Sequence, residues 1–469
     1  MPKITVYENG HKRIINAKVG DMLSDVLSKA SVLVEHPCGG KGMCNKCTVF
    51  VDGESVLSCR YEIKDDIRVQ IPQKKNIATA ISGDETGYTT LNMCLCFDIG
   101  TTTLVLALVS KDEGKIIKTI TRNNPQRAFA ADVMSRIDYA TKNGTETLHK
   151  KIIDELTDMI DELFDSFDVA YVDTLYVAGN TTMLHLFFNV PCSALGYAPY
   201  TPVFLQSKKM PADTWGIKRV GEIVSLPGIS AFVGADVVAG LGYVGENEDG
   251  KYNFLIDLGT NAEVVLYSKD KLYCTAAAAG PCFEGVNISC GMSAVDGAIY
   301  SYTGKMSLVI GGGEPKGLCA TGLIDAVSVL LDWEIIDETG FMEEKEFEIA
   351  KGVTITREDI RQFQLAKSAI CSATLALMKK SEISYSDVGK VFVSGGFSSK
   401  MNLGNALKAG LLPKEFNGKI KTVNNSCMQG LVKFASGKSD LSAFLKNAEY
   451  VDLAKDEYFQ DLFIENMMF

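Results

Sequence analysis

The chain has 469 residues, 46% of them hydrophobic and 22% charged, enough for several buried cores and roughly two to four domains. A net charge of −11 without any dense Lys/Arg block excludes the basic face that nucleic-acid binding requires. No apolar run reaches membrane-spanning length and no signal-like apolar core opens the chain, so a cytoplasmic protein with no nucleic-acid and no membrane partner is expected.

Thirteen cysteines in such a chain favour metal ligation and buried free thiols over a disulfide framework. In chain order, "ITVYENGHKRIINA" alternates on both sides of Asn9-Gly10, a dipeptide suited to a tight hairpin turn. "DMLSDVLSKA" places Met22, Leu23, Val26 and Leu27 at helical spacing. A glycine-rich cysteine loop and the short strands "CTVFVDG" and "DIRVQIP" complete a compact unit with the element order of a β-grasp ferredoxin. Residues 1–75 carry 12 Lys/Arg and 9 Asp/Glu, a net of +3 that leaves −14 for the rest, so this unit could dock electrostatically on its own body or on a partner.

The cysteine loop, "CGGKGMCNKC", spaces Cys38, Cys44 and Cys47 as C-x5-C-x2-C, and Cys59 follows after eleven residues. Four thiolates are what a [2Fe–2S] cluster requires, and Gly39, Gly40 and Gly42 let the backbone wrap it closely. The loop is one residue longer than the plant-type spacing. Zinc is the rival, but structural zinc sites usually come as two separated C-x2-4-C pairs, and one pair here has that spacing. His36 reads as a surface histidine rather than a ligand.

The expected division is a ferredoxin-like domain over 1–74, a polar linker over 75–92, a first lobe over 93–249 and a second over 250–469. The lobes rest on an internal echo. "CFDIGTTTLVLALV" at 96–109 returns as "LIDLGTNAEVVLY" at 255–267, and "LYVAGNTTM" at 175–183 returns as "VFVSGGFSS" at 391–399. Two elements repeated in one order imply two lobes on one plan, with a ligand site between them.

"DIGTTT" lies between two hydrophobic runs, hence at a strand–strand turn. Amide groups near Gly100 and the hydroxyls of Thr101, Thr102 and Thr103 can hold phosphate oxygens there, and Asp98 can hold Mg²⁺ or its water. Asp257, Gly259, Thr260 and Asn261 repeat that chemistry. Gly395, Gly396 and Phe397 follow a strand, where a flat base can lie against bare backbone. Walker and Rossmann fingerprints are missing from the sequence.

These motifs resemble the phosphate-1, phosphate-2 and adenosine motifs of the acetate kinase, sugar kinase, Hsp70 and actin superfamily. With the cysteine loop, nearly the whole chain resembles the ATP-dependent reductive activators of corrinoid proteins, as do "ADVMSRI", "GPCFEG", "ISCGM" and "FQLAKSAI". The fold implied is an α+β β-grasp ferredoxin domain followed by an α/β two-lobed actin/Hsp70-like ATPase domain with internally duplicated lobes.

The function implied is transfer of one electron from a low-potential donor, through a [2Fe–2S] cluster on Cys38, Cys44, Cys47 and Cys59, to Co(II) on a corrinoid protein of a methyltransferase system. Mg²⁺ and ATP would sit between the lobes, with Asp98 or Asp257 orienting the attacking water, and a homodimer is the family-level expectation. A gap of about 300 mV costs roughly 7 kcal/mol for one electron, which nucleotide hydrolysis can cover. The chain is shorter than the longer members of that family, its short linker standing where they carry a further domain. A small-molecule kinase with a redox-sensing ferredoxin module is the alternative, and a redox interaction module using ATP as a switch is a third.

Cys274, Cys282 and Cys290, and the pair Cys94 and Cys96, read as buried core thiols rather than a second cluster. The loop "AAAAGPCFEGVNISCGM" is expected either to close on nucleotide or partner or to be buried in the core. Asp132 and Asp236 each open an apolar helix, where a carboxylate favours the helix start, and Asp236 could also face the cleft.

Overall fold

A computed structural model describes residues 1–8, 11–30, 32, 34, 42, 47–72, 92–167, 169–245 and 250–469. The Asn9-Gly10 turn, His36, Cys38, Gly39, Gly40, Cys44 and residues 75–91 of the expected linker lie outside the described residues.

The first unit contains β1 (Lys3–Glu8), β2 (His11–Asn16), α1 (Leu23–Lys29), β3 (Thr48–Val51), β4 (Glu54–Leu57) and β5 (Ile67–Gln70). Glu8 pairs with His11, the register a two-residue hairpin connection produces. The sheet order is β2-β1-β5-β3-β4, with β1 and β5 parallel, which is the β-grasp arrangement. Along β5, Ile67 and Val69 point into the core while Arg68 and Gln70 face out, the period-two signature of a half-buried strand. Ile4, Val6, Leu23, Leu27, Val49 and Val69 form a core separate from those that follow.

Next come β6 (Met93–Ile99), β7 (Thr103–Ser110), β8 (Lys115–Asn123), α2 (Val133–Asn143), α3 (Glu146–Phe167), β9 (Val172–Gly179), α4 (Thr181–Phe187), β10 (Lys209–Pro211), β11 (Val220–Ser225) and α5 (Ala235–Val244). Leu148, Ile152, Leu156, Met159 and Leu163 recur along α3 every three or four residues and are buried against the sheet. Asp132 caps α2: its side chain accepts from the Ser135 amide, completing a capping box, so its role at the helix start is structural.

The second lobe runs through β12 (Tyr252–Leu258), β13 (Ala262–Tyr267), β14 (Leu272–Ala277), β15 (Ala298–Tyr302), β16 (Ser307–Val309), β17 (Gly317–Leu318), α6 (Ala320–Asp332), β18 (Glu346–Ala350), β19 (Val353–Thr356) and α7 (Arg357–Lys380). It closes with β20 (Val388–Gly395), α8 (Leu403–Lys408), β21 (Ile420–Thr422), α9 (Ser426–Ala435), α10 (Ser442–Lys446), β22 (Ala448–Tyr450) and α11 (Phe459–Glu465). The "FQLAKSAI" stretch of α7 holds the end of the chain. Gln364 donates to Met467 O at 2.8 Å and Ser368 to Phe463 O at 2.5 Å, while Lys367 donates to Met468 O. Burial brings Lys367 down to about 8.

The internal echo is a duplication of sheets. The first lobe orders its strands β10-β11-β9-β6-β7-β8 and the second β21-β20-β12-β13-β14-β22, so β11-β9-β6-β7-β8 matches β21-β20-β12-β13-β14. Registers match too: Ile99 pairs with Gly179, and Leu258 with Gly395.

Two helices cross between the lobes. α9 follows a strand of the second sheet, yet Cys427, Met428, Leu431 and Val432 are buried in the first lobe's core. α5 ends the first lobe, yet Val237 and Leu241 pack with Leu255 and Val265 of the second sheet. They meet so closely that a Cβ at Gly430 would lie 1.8 Å from Ala239 O. The crossing ties the two sheets together, and the β6–β7 and β12–β13 turns occupy equivalent places in them.

Candidate functional site

The first phosphate-type loop, residues 99–103, turns between β6 and β7 with the Gly100 amide donating to Thr103 O at 3.0 Å. Glycine is required at 100 because a Cβ would lie 2.5 Å from Thr103 O. Three successive carbonyls of this loop are tied from behind. The Asn124 side chain donates to Gly100 O at 2.8 Å, Arg136 to Thr101 O at 2.6 Å, and the Asn124 amide to Thr102 O at 2.9 Å. Asn180, which caps α4, donates to the Thr101 hydroxyl at 3.1 Å. The turn is thus held in one shape from behind, the pre-organisation that an anion-binding turn requires.

The second loop turns at the equivalent place but is one residue tighter: the Gly259 amide donates to Asn261 O at 3.0 Å between β12 and β13. Thr260 Oγ1 donates to a carboxylate oxygen of Glu284.

Asp98 and Asp257 end the two equivalent strands, and the structure brings them together. Burial raises Asp98 to about 6, against hydrogen bonds from Cys427 and Asn425, with Asp257 raising it further. Asp257 is likewise raised to about 6 by burial, opposed by hydrogen bonds from Ser394 and Ser426. Asp236, at the start of α5, joins them and is raised to about 7 by burial and by both neighbours. Glu263, opposite Asp257 in register, is pushed well up by burial and by Asp236 and Asp257. These carboxylates repel one another, yet among the described residues no three acidic, His or Cys side chains are placed to hold a metal ion by themselves, so a cation here would need water or phosphate oxygens to complete its shell.

The third motif closes the site. Gly395 has φ +115° and a Cβ there would lie 2.2 Å from Leu258 O, so bare backbone is obligatory beside β12. Gly396 faces open space, with nothing within 4 Å of a Cβ. The ring of Phe397 packs on Phe283 at 5.3 Å between centroids. The "AAAAGPCFEGVNISCGM" loop therefore divides its functions: Cys282 and Phe283 are buried, while the exposed Glu284 reaches Thr260.

Of the four cluster cysteines, Cys47 and Cys59 are described. Both are nearly buried, and their sulfurs stand 3.2 Å apart, well beyond an S–S bond of about 2.05 Å and close enough to face one iron. Gly42 has φ +71°, beneath the Arg60 side chain. These thiols fit a [2Fe–2S] cluster. The remaining thiols do not extend it: Cys274 and Cys282 are core residues pushed up to about 12 by burial, and Cys290 lies beside Thr354.

Sequence reasoning passed over Asn124, Asn180, Arg136, Glu263, Glu284 and Asn425 as site residues. Asn180 had a usable signal, since it stands directly after the repeated strand in "VAGNTT", at the helix-cap position.

Three family profiles match consecutive parts of the chain: "2Fe-2S iron-sulfur cluster binding domain" over residues 6–73, "RACo middle region" over 93–248, and "C-terminal domain of RACo the ASKHA domain" over 251–469. The chain is 27% identical to the corrinoid activation enzyme RamQ of Eubacterium limosum, covering 97% of each. It is 26% identical to the [Co(II) methylated amine-specific corrinoid protein] reductase of Methanosarcina barkeri, covering 79% of this chain and 76% of that one. A solved structure titled "Reductive activator for corrinoid,iron-sulfur protein" aligns over 100% of this chain and 98% of its own, with a TM-score of 0.70 and 23% identity, a likeness of fold. A cluster-binding β-grasp domain joined to a duplicated ASKHA ATPase domain, matched along nearly all of its length, means that the chain belongs to the RACo family of reductive activators of corrinoid proteins.

Proposed function

We propose that this protein uses ATP to drive one electron from its [2Fe–2S] cluster onto the Co(II) corrinoid of a partner protein in a methyltransferase system, producing Co(I). The observation that carries the reading is the presence in one chain of a close buried thiol pair and of two equivalent glycine turns beside the raised carboxylates Asp98 and Asp257. Cys38, Cys44, Cys47 and Cys59 hold the cluster, which supplies the single electron when bound. Gly100, Thr101, Thr102, Thr103, Gly259, Thr260 and Asn261 receive the phosphates from opposite lobes, and Gly395, Gly396 and Phe397 receive the base.

Mg²⁺, which keeps several waters and takes one or two carboxylates plus phosphate oxygens, would be held at Asp98 and Asp257. Asp98 and Asp257 orient the attacking water and hold its proton, their raised pKa values placing them nearer neutrality than ordinary carboxylates. A low-potential donor refills the cluster, and a cytoplasmic homodimer is the assembly this reading carries. Among the described residues no helix is long and apolar enough to cross a membrane. The kinase alternative is not favoured, since the relatives named above are corrinoid enzymes.

The test is anaerobic absorbance of a Co(II) corrinoid protein mixed with reduced activator, with and without Mg-ATP. Co(I) should form with ATP, and inorganic phosphate should be released without a phosphorylated small molecule. Reduction indifferent to ATP, or a phosphorylated acceptor, would end the reading. Cys59→Ser should remove most of the visible absorbance and iron while leaving ATP hydrolysis intact.

A further inference from the structure

The peptide immediately after β8 touches both halves of the proposed machine. Asn124 holds the carbonyls of Gly100 and Thr102, as described above. Gln126 accepts from Arg136 at 3.0 Å and donates to Leu148 O at 3.0 Å. Arg136 also donates to Ala130 O at 3.1 Å and Thr101 O at 2.6 Å. Between these points, Ala128 O accepts a hydrogen bond of 2.7 Å from Ser28 of α1, in the cluster domain, one hundred residues away in sequence.

Arg136 is the unusual member. It is fully buried, and no acidic side chain forms an ion pair with it among the described residues. A buried cation whose bonds all go to carbonyl, amide and thioether acceptors is costly to keep, and it stands directly behind the loop proposed to receive phosphate. Asp132, at the start of the same helix, acts on it from a distance, Arg127 opposes it, and a bound phosphate would add a second negative charge.

We infer that residues 124–130 form a strap, pinned by Arg136 as a positioning residue, through which phosphate bound on Thr101–Thr103 changes the seating of the cluster domain at Ser28. This rests on the ATP-coupled reading above. Phosphate drawn onto the 99–103 loop shifts carbonyls that share donors with the strap, and Ala128 O moves relative to the Ser28 hydroxyl. The coupling needs no contact between nucleotide and cluster domain.

The experiment is amide hydrogen exchange on the full iron-loaded chain, nucleotide-free and with Mg²⁺ and a non-hydrolysable ATP analogue, for wild type, Ser28→Ala and Arg136→Lys. In wild type the analogue should change exchange at 99–103, at 124–130 and in α1 by at least about threefold. In Ser28→Ala the first two responses should remain and the α1 response should vanish. In Arg136→Lys, which keeps the charge but not the fan of bonds, both the strap and α1 responses should shrink. Loss of one hydrogen bond, about 1 kcal/mol, should lower Co(I) formed per ATP hydrolysed roughly fivefold in Ser28→Ala, with visible absorbance and basal hydrolysis unchanged. Protection at 99–103 with a silent α1 in wild type, or an undiminished α1 response in Ser28→Ala, would overturn the strap and spare the ATP reading. No protection at 99–103 would overturn both.

Discussion

Asp236 makes the electrostatics of the inter-lobe site measurable. Raised to about 7 by burial, it binds a proton in the native state that the unfolded chain releases near 3.8. Native protein therefore holds more protons than unfolded protein between those values, and this group's contribution to stability falls as pH rises through them. Asp98 and Asp257, raised to about 6, act in the same direction. In the nucleotide-free protein, Asp236→Asn should raise the melting temperature at pH 7.5 by a few degrees and by clearly less at pH 5, where only part of the loss has accrued. Differential scanning fluorimetry at both pH values, without divalent cations, checks this. An equal shift at both would mean that charge repulsion is not what the substitution relieves.

The glycines of the third motif give a second contrast between neighbouring residues. Gly395→Ala puts a Cβ 2.2 Å from Leu258 O at a φ of +115°, combining overpacking with backbone strain, and should cost about 2–4 kcal/mol in urea denaturation. Gly396→Ala meets nothing within 4 Å and should melt like wild type while weakening ATP binding severalfold, as read by calorimetric titration. Loss of stability in both would show that the two glycines serve packing alone.

At the scale of elements, the β6–β7 and β12–β13 turns were legible because strand, turn and strand are contiguous within 13 or 14 residues and the same pattern occurs once at 96–109 and again at 255–267. Their supports were not. Asn124 lies 24 residues from the carbonyl it holds, Arg136 lies 35 from Thr101, and Asn180 lies 79 from the same residue. Each reads locally as a turn former, a helix surface charge or a cap, and tertiary placement alone turns it toward the loop. The helix crossing was hidden for a related reason: nothing in "SCMQGLVKFA" says that its apolar face belongs to the other lobe's core. Gly430 marks the crossing. Gly430→Ala, which would gain about 1 kcal/mol in a free helix, should instead cost about 2–3 kcal/mol here, because the Cβ would lie 1.8 Å from Ala239 O. Urea denaturation decides the sign, and a stabilised variant would mean that α5 and α9 separate readily.

Across the whole molecule, the separation of cores predicts how unfolding should divide. The β-grasp core shares no buried residue with the others, whereas α5 and α9 each place side chains in the opposite lobe's core. The two lobes should therefore melt as one cooperative unit and the cluster domain as another. Saturation with Mg-ATP analogue at a hundredfold its Kd stabilises the unit that binds it by about 2.7 kcal/mol. A single hydrogen bond at Ser28, worth about 1 kcal/mol, is too weak to merge the units. Scanning calorimetry should show two transitions: nucleotide moves the larger upward by several degrees, and iron chelation moves the smaller downward. One transition displaced by both treatments would show that the cluster domain is built into the ATPase, and coupling would then have to run through a rigid body rather than through the strap.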